Sequence, residues 1–233
     1  LAKKDLKTLE DTINTELDHV SNWLKANKLS LNVKKSNVLL FRGRNAKKMD
    51  QFNIKIDGNP IEEKEFAKYL GLYFDNKLTF KPQIDHVLTK LKKGNGILAK
   101  LRHFVPNEKV RSVYFAHIES HLNYGSIIWG WAAKYHLDKI ILAQKKGIKI
   151  MNFIKTRDHI ELPFKNNKVL PVDRLRALSM CKFIWKIYQG ITPFASSLLD
   201  QNQVVVNERD NTKYLVPTKI HYTPVHPFST QAF

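Results

Sequence analysis

The sequence predicts an α+β segment followed by an all-α segment. An amphipathic helix opens the chain, because apolar residues recur at spacings of three and four over residues 5–27. Short β-prone runs follow, punctuated by the turn-forming sequence Asp57-Gly58-Asn59-Pro60. From Pro82 onwards the apolar spacing is helical again. The change of periodicity near residue 80 therefore marks the boundary between the two segments.

Four short strands are predicted in the α+β segment. Residues 36–41 form an apolar run that is typical of a buried strand. Phe52, Ile54 and Ile56 alternate with polar residues, which indicates a half-buried strand. A short strand near Ile61 and another at Lys68–Asp75 complete the set.

Four helices are predicted in the all-α segment. The first begins near Pro82 and ends before Pro106, and the second carries Val110 and Ile118. The third runs from about Leu137 to Phe153 and the fourth from about Val172 to Tyr188, with a loop over residues 156–171 between them. From Thr192 the chain is rich in proline and lacks periodicity, so we expect an extended tail.

The charge of the chain favours a polyanionic partner. The 233 residues carry 39 Lys and Arg against 21 Asp and Glu, a formal net charge of +18, while 43% hydrophobic residues suffice for a core. Nucleic acid is the commonest partner of such a protein. A solvated basic surface, a ribosomal-type packing protein and an anionic membrane surface are the alternatives that charge alone leaves open.

A lone cysteine, Cys181, rules out an internal disulfide framework and a cysteine-based zinc site. Its place in a helical apolar pattern predicts a small core residue. A reducing compartment is expected, meaning nucleus and cytoplasm. No apolar run is long enough to cross a bilayer, so we expect no membrane partner. Because the chain starts at Leu1 and ends without a polar tail, we expect it to derive from a longer polypeptide.

Three stretches in register carry a resemblance to a known family. They are Trp23-Leu24-Lys25-Ala26-Asn27-Lys28-Leu29-Ser30-Leu31-Asn32-Val33-Lys34-Lys35-Ser36, then Lys68-Tyr69-Leu70-Gly71-Leu72-Tyr73-Phe74-Asp75, then Asn123-Tyr124-Gly125-Ser126-Ile127-Ile128-Trp129-Gly130 with Gln144-Lys145-Lys146 after it. Their order and spacing resemble the region that follows the Tyr-Ala-Asp-Asp motif in reverse transcriptases of jockey-like LINE elements, which are non-LTR retrotransposons. The resemblance covers nearly the whole chain.

The resemblance implies an α+β palm remnant followed by an all-α thumb and connector. Residues 1–80 would be the C-terminal part of the palm with a primer-grip hairpin, residues 81–160 a helical thumb, and residues 161–233 a helical connector with an extended tail. The parent would be an RNA-directed DNA polymerase that uses magnesium. Its partners would be an RNA template and a DNA primer, with fingers, the rest of the palm and an endonuclease elsewhere in the same polypeptide.

No Tyr-Ala-Asp-Asp sequence is present in this chain. Nucleotidyl transfer needs paired carboxylates that hold two metal ions, whereas Asp5 and Asp11 fall on the first helix and fit solvated helix charges better. We therefore expect no metal site, no cofactor and no polymerase activity in this chain by itself. Lys35 matches the lysine of the family's Asn-x-x-Lys-Thr motif, with Ser36 in place of Thr. The resemblance gives it an auxiliary catalytic role beside the departing pyrophosphate, and a surface lysine is the alternative.

Nucleic-acid contacts are predicted from the second motif and from the lysines of the helices. In the primer grip, Tyr69 and Gly71 would face the nucleic acid, or Leu70, Leu72 and Phe74 would simply pack the hairpin onto the palm. Lys92 and Lys93 lie in a basic stretch between residues 85 and 112, and Lys145, Lys146 and Lys149 form a cluster on the third predicted helix. Such lysines can neutralise phosphates without reading sequence, and a solvated helix face is the alternative.

Two further groups of side chains leave alternatives open. The aromatic residues Tyr124, Trp129, Trp131 and Tyr135 could stack on bases, although a packed core is the better interpretation of their density. His117 and His121 are four residues apart, a spacing that suits a metal site, but no other ligands converge on them in sequence. The functional hypotheses are thus a part of a polymerase that is inactive alone, a non-catalytic nucleic-acid-binding remnant, and an inert pseudogene product.

Overall fold

The structure, a computed structural model, describes residues 6–41, 43, 53–155, 158–192, 204–207 and 212–215. The chain divides into two compact units, one from residues 1–65 with 194–233 and the other from residues 66–193. This boundary differs from the predicted one near residue 80, because the Lys68–Asp75 segment packs on helices of the second unit. Phe52 and the prolines beyond residue 192 lie outside the described residues.

One long helix and several short strands make up the first unit. They are α1 (Leu6–Ala26), a 3-10 turn (Val33–Lys35), β1 (Asn37–Val38), β2 (Lys55–Ile56), β3 (Asn59–Pro60), β4 (Glu62–Glu63), β7 (Val204–Asn207) and β8 (Thr212–Leu215). β1 pairs with β4 in parallel, and the pairs β2–β3 and β7–β8 are antiparallel. A small core forms where Leu9 of α1 meets Ile54.

The turn between β2 and β3 is the one that the sequence predicts. Asp57 and Gly58 both have positive φ, at 49° and 74°, which is the geometry of a two-residue type I′ hairpin. Asp57 also ties the hairpin to α1, because its carboxylate accepts hydrogen bonds from Lys25 Nζ at 2.6 Å and from Ser21 Oγ at 2.7 Å. The hydrogen bond from Lys25, followed by that from Ser21, lowers the pKa of Asp57.

Helices dominate the second unit. Its elements are β5 (Phe66–Tyr69), β6 (Leu72–Asp75), α2 (Lys81–Leu101), α3 (Asn107–Tyr114), a π-helical turn (Phe115–Glu119), α4 (Ser120–Asn123), α5 (Ser126–Trp129), α6 (Lys134–Met151), α7 (Glu161–Asn166) and α8 (Val172–Tyr188). The apolar faces of α2 and α6 meet in a core that contains Leu91, Leu98, Ile140 and Ile148.

Glycines let three helical segments approach one another closely in this core. A Cβ on Gly94 of α2 would lie 2.9 Å from the backbone oxygen of His117 in the π-helical turn. A Cβ on Gly147 of α6 would lie 3.0 Å from Ile118 Cδ1 and 2.6 Å from Asn95 Oδ1. Ile118 is fully buried. The π-helical turn therefore inserts one isoleucine between two helices that carry glycine at the contact.

Several predicted elements need correction. The predicted strand at residues 36–41 is a two-residue strand, since only Asn37 and Val38 pair with another strand. The Lys68–Asp75 strand is a hairpin, because Leu70 and Gly71 turn the chain with φ of 44° and 80°. Within the described part of the loop predicted over residues 156–171, Glu161–Asn166 form the short helix α7.

Cys181 is exposed, so its prediction as a core residue is wrong. The surrounding helix α8 carries apolar residues on more than one face. Only part of that apolar surface packs against the rest of the second unit. Leu175 and Ile187 are buried, whereas Leu178 and Trp185 are exposed. Apolar spacing along such a helix does not identify the buried face.

Candidate nucleic-acid interface

Lys35 is the last residue of the 3-10 turn in the first unit, and its side chain is exposed. Asn32 builds this turn: its side-chain oxygen accepts from Lys35 N at 3.2 Å, and its backbone oxygen accepts from Ser36 Oγ at 3.1 Å. The Asn and the hydroxyl residue of the motif therefore shape the backbone around the lysine. Serine supplies the same hydroxyl as threonine, so the departure from the family pattern leaves this turn intact.

Tyr69 and Gly71 lie at the tip of the β5–β6 hairpin. Tyr69 is 67% exposed and is paired with the buried Leu72 across the turn. The Tyr124 side chain packs against the turn. Its hydroxyl donates a hydrogen bond to Leu70 O at 2.5 Å, and a Cβ added to Gly71 would lie 3.1 Å from the same hydroxyl oxygen. In the alternative, Leu70, Leu72 and Phe74 pack the hairpin. This is wrong for Leu70, which is exposed, but Leu72 is buried in the core of the second unit and Phe74 packs against it.

The third motif is a structural joint next to this hairpin. Gly125 has a φ of 62°, and a Cβ there would lie 2.7 Å from Leu72. Trp129 is buried and its Nε1 donates to Tyr124 O at 2.8 Å. Arg176 of α8 donates to Gly130 O at 2.6 Å. The second and third motifs are therefore in direct contact, and α8 is hydrogen-bonded to the third motif through Arg176.

Among the predicted lysines, Lys92 and Lys146 are brought together. They line a groove of about 550 Å³ between α2 and α6, and Lys139 lines the same groove. The remaining lining is mostly apolar, with Leu88 on α2 and the exposed Leu142 on α6. Lysines along a groove can neutralise the phosphates of a nucleic-acid backbone.

The other predicted lysines are not part of this groove. Lys145 lines a second cleft of about 950 Å³ between α6, α7 and α8, together with Lys165, Lys168 and Arg174. Lys93 is exposed on α2, and Lys149 is half-buried on α6. The predicted cluster is therefore divided. Lys145 and Lys146 line different cavities, because adjacent residues of a helix point about 100° apart, and Lys149 is in the lining of neither.

Gln144 lies on α6 beside the second cleft and holds the start of α8. The side chain is 1% exposed, and its Nε2 donates to Leu170 O at 2.9 Å and to the Tyr114 hydroxyl at 3.1 Å. Its Oε1 accepts from Val172 N at 2.8 Å, at the start of α8. The glutamine of the third motif therefore satisfies buried backbone groups, and the two lysines after it lie on the surface.

Two arginines of the predicted basic stretch have structural contacts. Arg102 donates to Ile150 O at 3.0 Å and lies over the ring of Phe153 at 4.5 Å. Arg111 donates to Asn167 O at 2.7 Å and lies over Phe115 at 4.6 Å. Since both guanidinium groups already bind the protein, the stretch offers fewer free cations than its composition suggests.

The aromatic residues in and just after the third motif divide between core and surface. Trp129 belongs to the core, but Tyr124, Trp131 and Tyr135 are 55%, 75% and 63% exposed. The interpretation of all four as core residues is wrong for these three.

His117 and His121 lie on the π-helical turn and on α4. No set of three His, Cys, Asp or Glu side chains within the described ranges is arranged to hold a metal ion. None of the helices described here combines the length and the apolar character needed to span a membrane.

Sequence reasoning missed Lys139 in the groove. Its spacing of seven from Lys146 places both on one face of α6, so helical periodicity alone could have identified it. The contribution of Lys165, Lys168 and Arg174 to the second cleft depends on how α7 folds back, for which the sequence offers no periodic signal.

Comparison with known proteins identifies relatives for this chain. It is 27% identical over 150 residues to the RNA-directed DNA polymerase from mobile element jockey of Drosophila melanogaster, covering 61% of this chain and 16% of the relative. For the jockey polymerase of Drosophila funebris the identity is 29% over 167 residues, covering 68% and 18%. For the probable RNA-directed DNA polymerase from transposon X-element of Drosophila melanogaster it is 26% over 135 residues, covering 56% and 14%.

The matched region spans 14% to 18% of the length of these relatives. No protein-family model and no solved structure matches the chain. The three polymerases nevertheless agree with the resemblance carried by the three motifs, and those motifs occupy both units of the structure. The chain is therefore a relative of the RNA-directed DNA polymerases of non-LTR retrotransposons.

Proposed function

We propose that this chain is the primer–template-binding part of a non-LTR retrotransposon reverse transcriptase, and that it performs no chemistry by itself. The first unit would be the end of a palm, and the helices of the second unit a thumb and connector. The parent's substrates would be an RNA template, a DNA primer and deoxynucleotides.

The groove between α2 and α6 carries this proposal. Lys92, Lys139 and Lys146 line it, and all three side chains are exposed. The buried faces of the same helices are fixed by the core and by the glycine contacts described above, so the lysines are presented by rigid elements. Interactions of this kind neutralise phosphates irrespective of base sequence.

The acidic residues do not support nucleotidyl transfer within this chain. In the described ranges they do not come together in a set that could hold a metal ion, whereas nucleotidyl transfer needs two metal ions in one site. We therefore assign no catalytic step to these residues. Lys35 could assist a departing pyrophosphate only when the aspartates of a complete palm are supplied by other parts of a polymerase.

The test measures, by fluorescence anisotropy, the binding of the full chain to an RNA–DNA hybrid with a recessed primer end. We expect affinity to fall steeply between about 50 and 200 mM salt, as phosphate contacts require. The double variant Lys92→Glu/Lys146→Glu should bind at least about tenfold more weakly and show a lower salt slope, by about one for each lost contact. Lys182→Glu/Lys186→Glu changes net charge equally on exposed residues of α8 and serves as the control.

Equal weakening by both double variants would show that net charge, and not this groove, governs binding. Absence of binding at low salt would refute the proposal outright. Primer extension separately tests the proposal that the chain performs no chemistry by itself, because incorporation of deoxynucleotides by the purified chain would contradict it. A variant that changes affinity for one base sequence only would contradict binding through phosphates.

A further inference from the structure

The second cleft, between α6, α7 and α8, is a cavity of about 950 Å³ with an excess of positive charge. Six charged side chains line it, and all six are exposed: the cations Lys145, Lys165, Lys168 and Arg174, and the acids Glu161 and Asp173. Within the described ranges, no ion pair joins these acids to these cations. The cleft therefore brings four uncompensated cations from three helices and one turn to a single cavity.

Buried hydrogen bonds hold the walls of the second cleft in place. Asn167, directly after α7, donates through its side chain to Asn152 Oδ1 at 2.9 Å and to Pro163 O at 2.8 Å. The backbone oxygen of Asn167 accepts from Arg111 Nε at 2.7 Å. On the other side, Gln144 of α6 holds the segment between α7 and α8 through the two backbone contacts described above. The backbone that carries the cations is therefore fixed before any ligand binds.

Arg174 differs from the other arginines that the structure describes. Arg102, Arg111 and Arg176 each donate a hydrogen bond to a backbone carbonyl of the protein. In the described part of the chain, no hydrogen bond, ion pair or ring contact engages the guanidinium group of Arg174. An arginine side chain presents five N–H donors in a planar fork that matches the oxygens of a phosphate. The whole fork of Arg174 is therefore available to a ligand in the cleft.

Lys168 occupies a backbone position that favours glycine. Its φ is 53°, in a turn closed by hydrogen bonds from Lys168 N to Lys165 O and from Val169 N to Phe164 O, both at 3.0 Å. This left-handed conformation costs free energy for a residue with a side chain, whereas glycine adopts it without strain. Glycine would serve the turn at least as well, so the lysine side chain is the feature of this position that calls for a function.

The size and the charge of the second cleft together indicate its ligand. Several cations spread around one cavity suit a molecule with several separated anionic groups, and a chain of phosphates is of this kind. A duplex is too wide to enter a cavity of about 950 Å³, whereas a single strand can lie in a basic groove that follows its backbone. Because Lys145 and Lys146 line different cavities, the cleft and the groove between α2 and α6 can be occupied together.

We propose that the second cleft binds a single-stranded segment of nucleic acid, whose phosphates contact Lys145, Lys165, Lys168 and Arg174. This goes beyond the proposed function, because it adds a second nucleic-acid site that takes an unpaired strand and does not require the groove. A hybrid with a recessed primer end contains such a strand, namely the unpaired part of the template.

The experiment measures, by fluorescence anisotropy, the binding of the full chain to a labelled single-stranded RNA of about eight nucleotides, a usual site size for such proteins. All variants carry Lys92→Gln/Lys146→Gln, so that the groove contributes little. In this background, Lys168→Gly/Arg174→Gln should bind at least about tenfold more weakly, with a salt slope lower by about 0.7 for each lost phosphate contact. Lys182→Gln/Lys186→Gln removes the same charge from exposed residues of α8 and should bind like the background.

A second measurement separates lost binding from lost folding. Because glycine accepts the φ of Lys168, the single variant Lys168→Gly should unfold at the same urea concentration as its background or at a higher one, and still bind the RNA more weakly. Arg174→Gln, at an exposed position of α8, should likewise weaken binding without lowering the urea midpoint.

Three results would overturn the cleft as a nucleic-acid site. They are absence of RNA binding by the wild-type chain at about 50 mM salt, equal weakening by the cleft variant and the α8 control, and displacement of the RNA by polyglutamate as efficiently as by unlabelled RNA. The last result would assign the cleft to an acidic peptide. If a blunt-ended hybrid fails to bind the wild-type chain while the cleft variant alone loses the single-stranded RNA, the proposed function fails and the cleft site stands.

Discussion

Gly94 and Gly96 lie two residues apart on α2, and we expect alanine to have opposite effects at the two positions. A Cβ on Gly94 would lie 2.9 Å from His117 O and 2.9 Å from Ile118 Cγ1, both in the π-helical turn. A Cβ on Gly96 would meet no atom within 4 Å. The backbone is helical at both positions, so the two substitutions differ only in what the new methyl group contacts.

The magnitudes follow from two opposing effects. Alanine in place of glycine inside a helix stabilises by roughly 0.5–1 kcal/mol, because the unfolded chain loses conformational freedom. At Gly94 the methyl group must displace a backbone carbonyl, and overpacking of this kind costs about 1–3 kcal/mol. We therefore expect Gly96→Ala to raise the free energy of unfolding by roughly 0.5–1 kcal/mol and Gly94→Ala to lower it by about 1–2 kcal/mol.

Urea unfolding followed by tryptophan fluorescence measures this difference. Trp23 is the single tryptophan of the first unit, so a Trp23→Phe background leaves Trp129, Trp131 and Trp185 to report on the second unit alone. Comparison within this background also avoids treating two units as one two-state transition. If Gly94→Ala were as stable as Gly96→Ala, the close approach of α2 to the π-helical turn would be refuted.

Two other predictions concern buried polar groups and use the same assay. Gln144→Ala leaves two buried backbone groups and a hydroxyl without a partner, so it should lower the free energy of unfolding by about 3–5 kcal/mol; the exposed neighbour Lys145→Ala should change it little, and a small effect of Gln144→Ala would contradict the network. Burial raises the pKa of Glu119, whose Oε2 has no hydrogen-bond partner among the described atoms. Because the folded pKa exceeds the unfolded value, its charged form destabilises the fold at neutral pH. Glu119→Gln should therefore be more stable than wild type near pH 7. It should lose that advantage as pH falls through the raised pKa of the folded state, with none left below the usual carboxyl pKa of 4.5; a difference independent of pH would contradict this.

Apolar periodicity predicted the helices well, because the buried face of a helix sets the spacing of its apolar residues. The fourth predicted helix, Val172–Tyr188, has the bounds of α8, and the third begins three residues late, since α6 starts at Lys134. The turn at Asp57-Gly58 was predicted correctly for a local reason, the need for two positive φ values. These features depend on residues close in sequence, so the sequence contains the information that fixes them.

Features that depend on distant residues were missed. Periodicity suggested a continuous strand over Lys68–Asp75, and only the family resemblance implied a hairpin there, because nothing within the segment shows that Leu70 accepts a positive φ of 44°. The cost of that conformation is offset by Tyr124, which binds Leu70 O from 54 residues away. The π-helical turn was missed for the same reason, since the glycines that accommodate it lie on α2 and α6.

The second and third motifs, which reveal the relationship to reverse transcriptases, mainly supply hydrogen bonds and packing contacts that join neighbouring elements of the fold. Asp75 accepts hydrogen bonds from Thr79 N at 2.9 Å and Phe80 N at 2.7 Å before α2 begins, and Gln144 joins α6 to the start of α8. Lys92 and Lys139, which line the groove, lie outside every motif. A relative could keep these joints and lose the basic groove, since the packing does not require the charges. Similarity in the motifs therefore bears on these packing contacts and not on the groove, and only substitution of the lysines tests whether this chain binds nucleic acid.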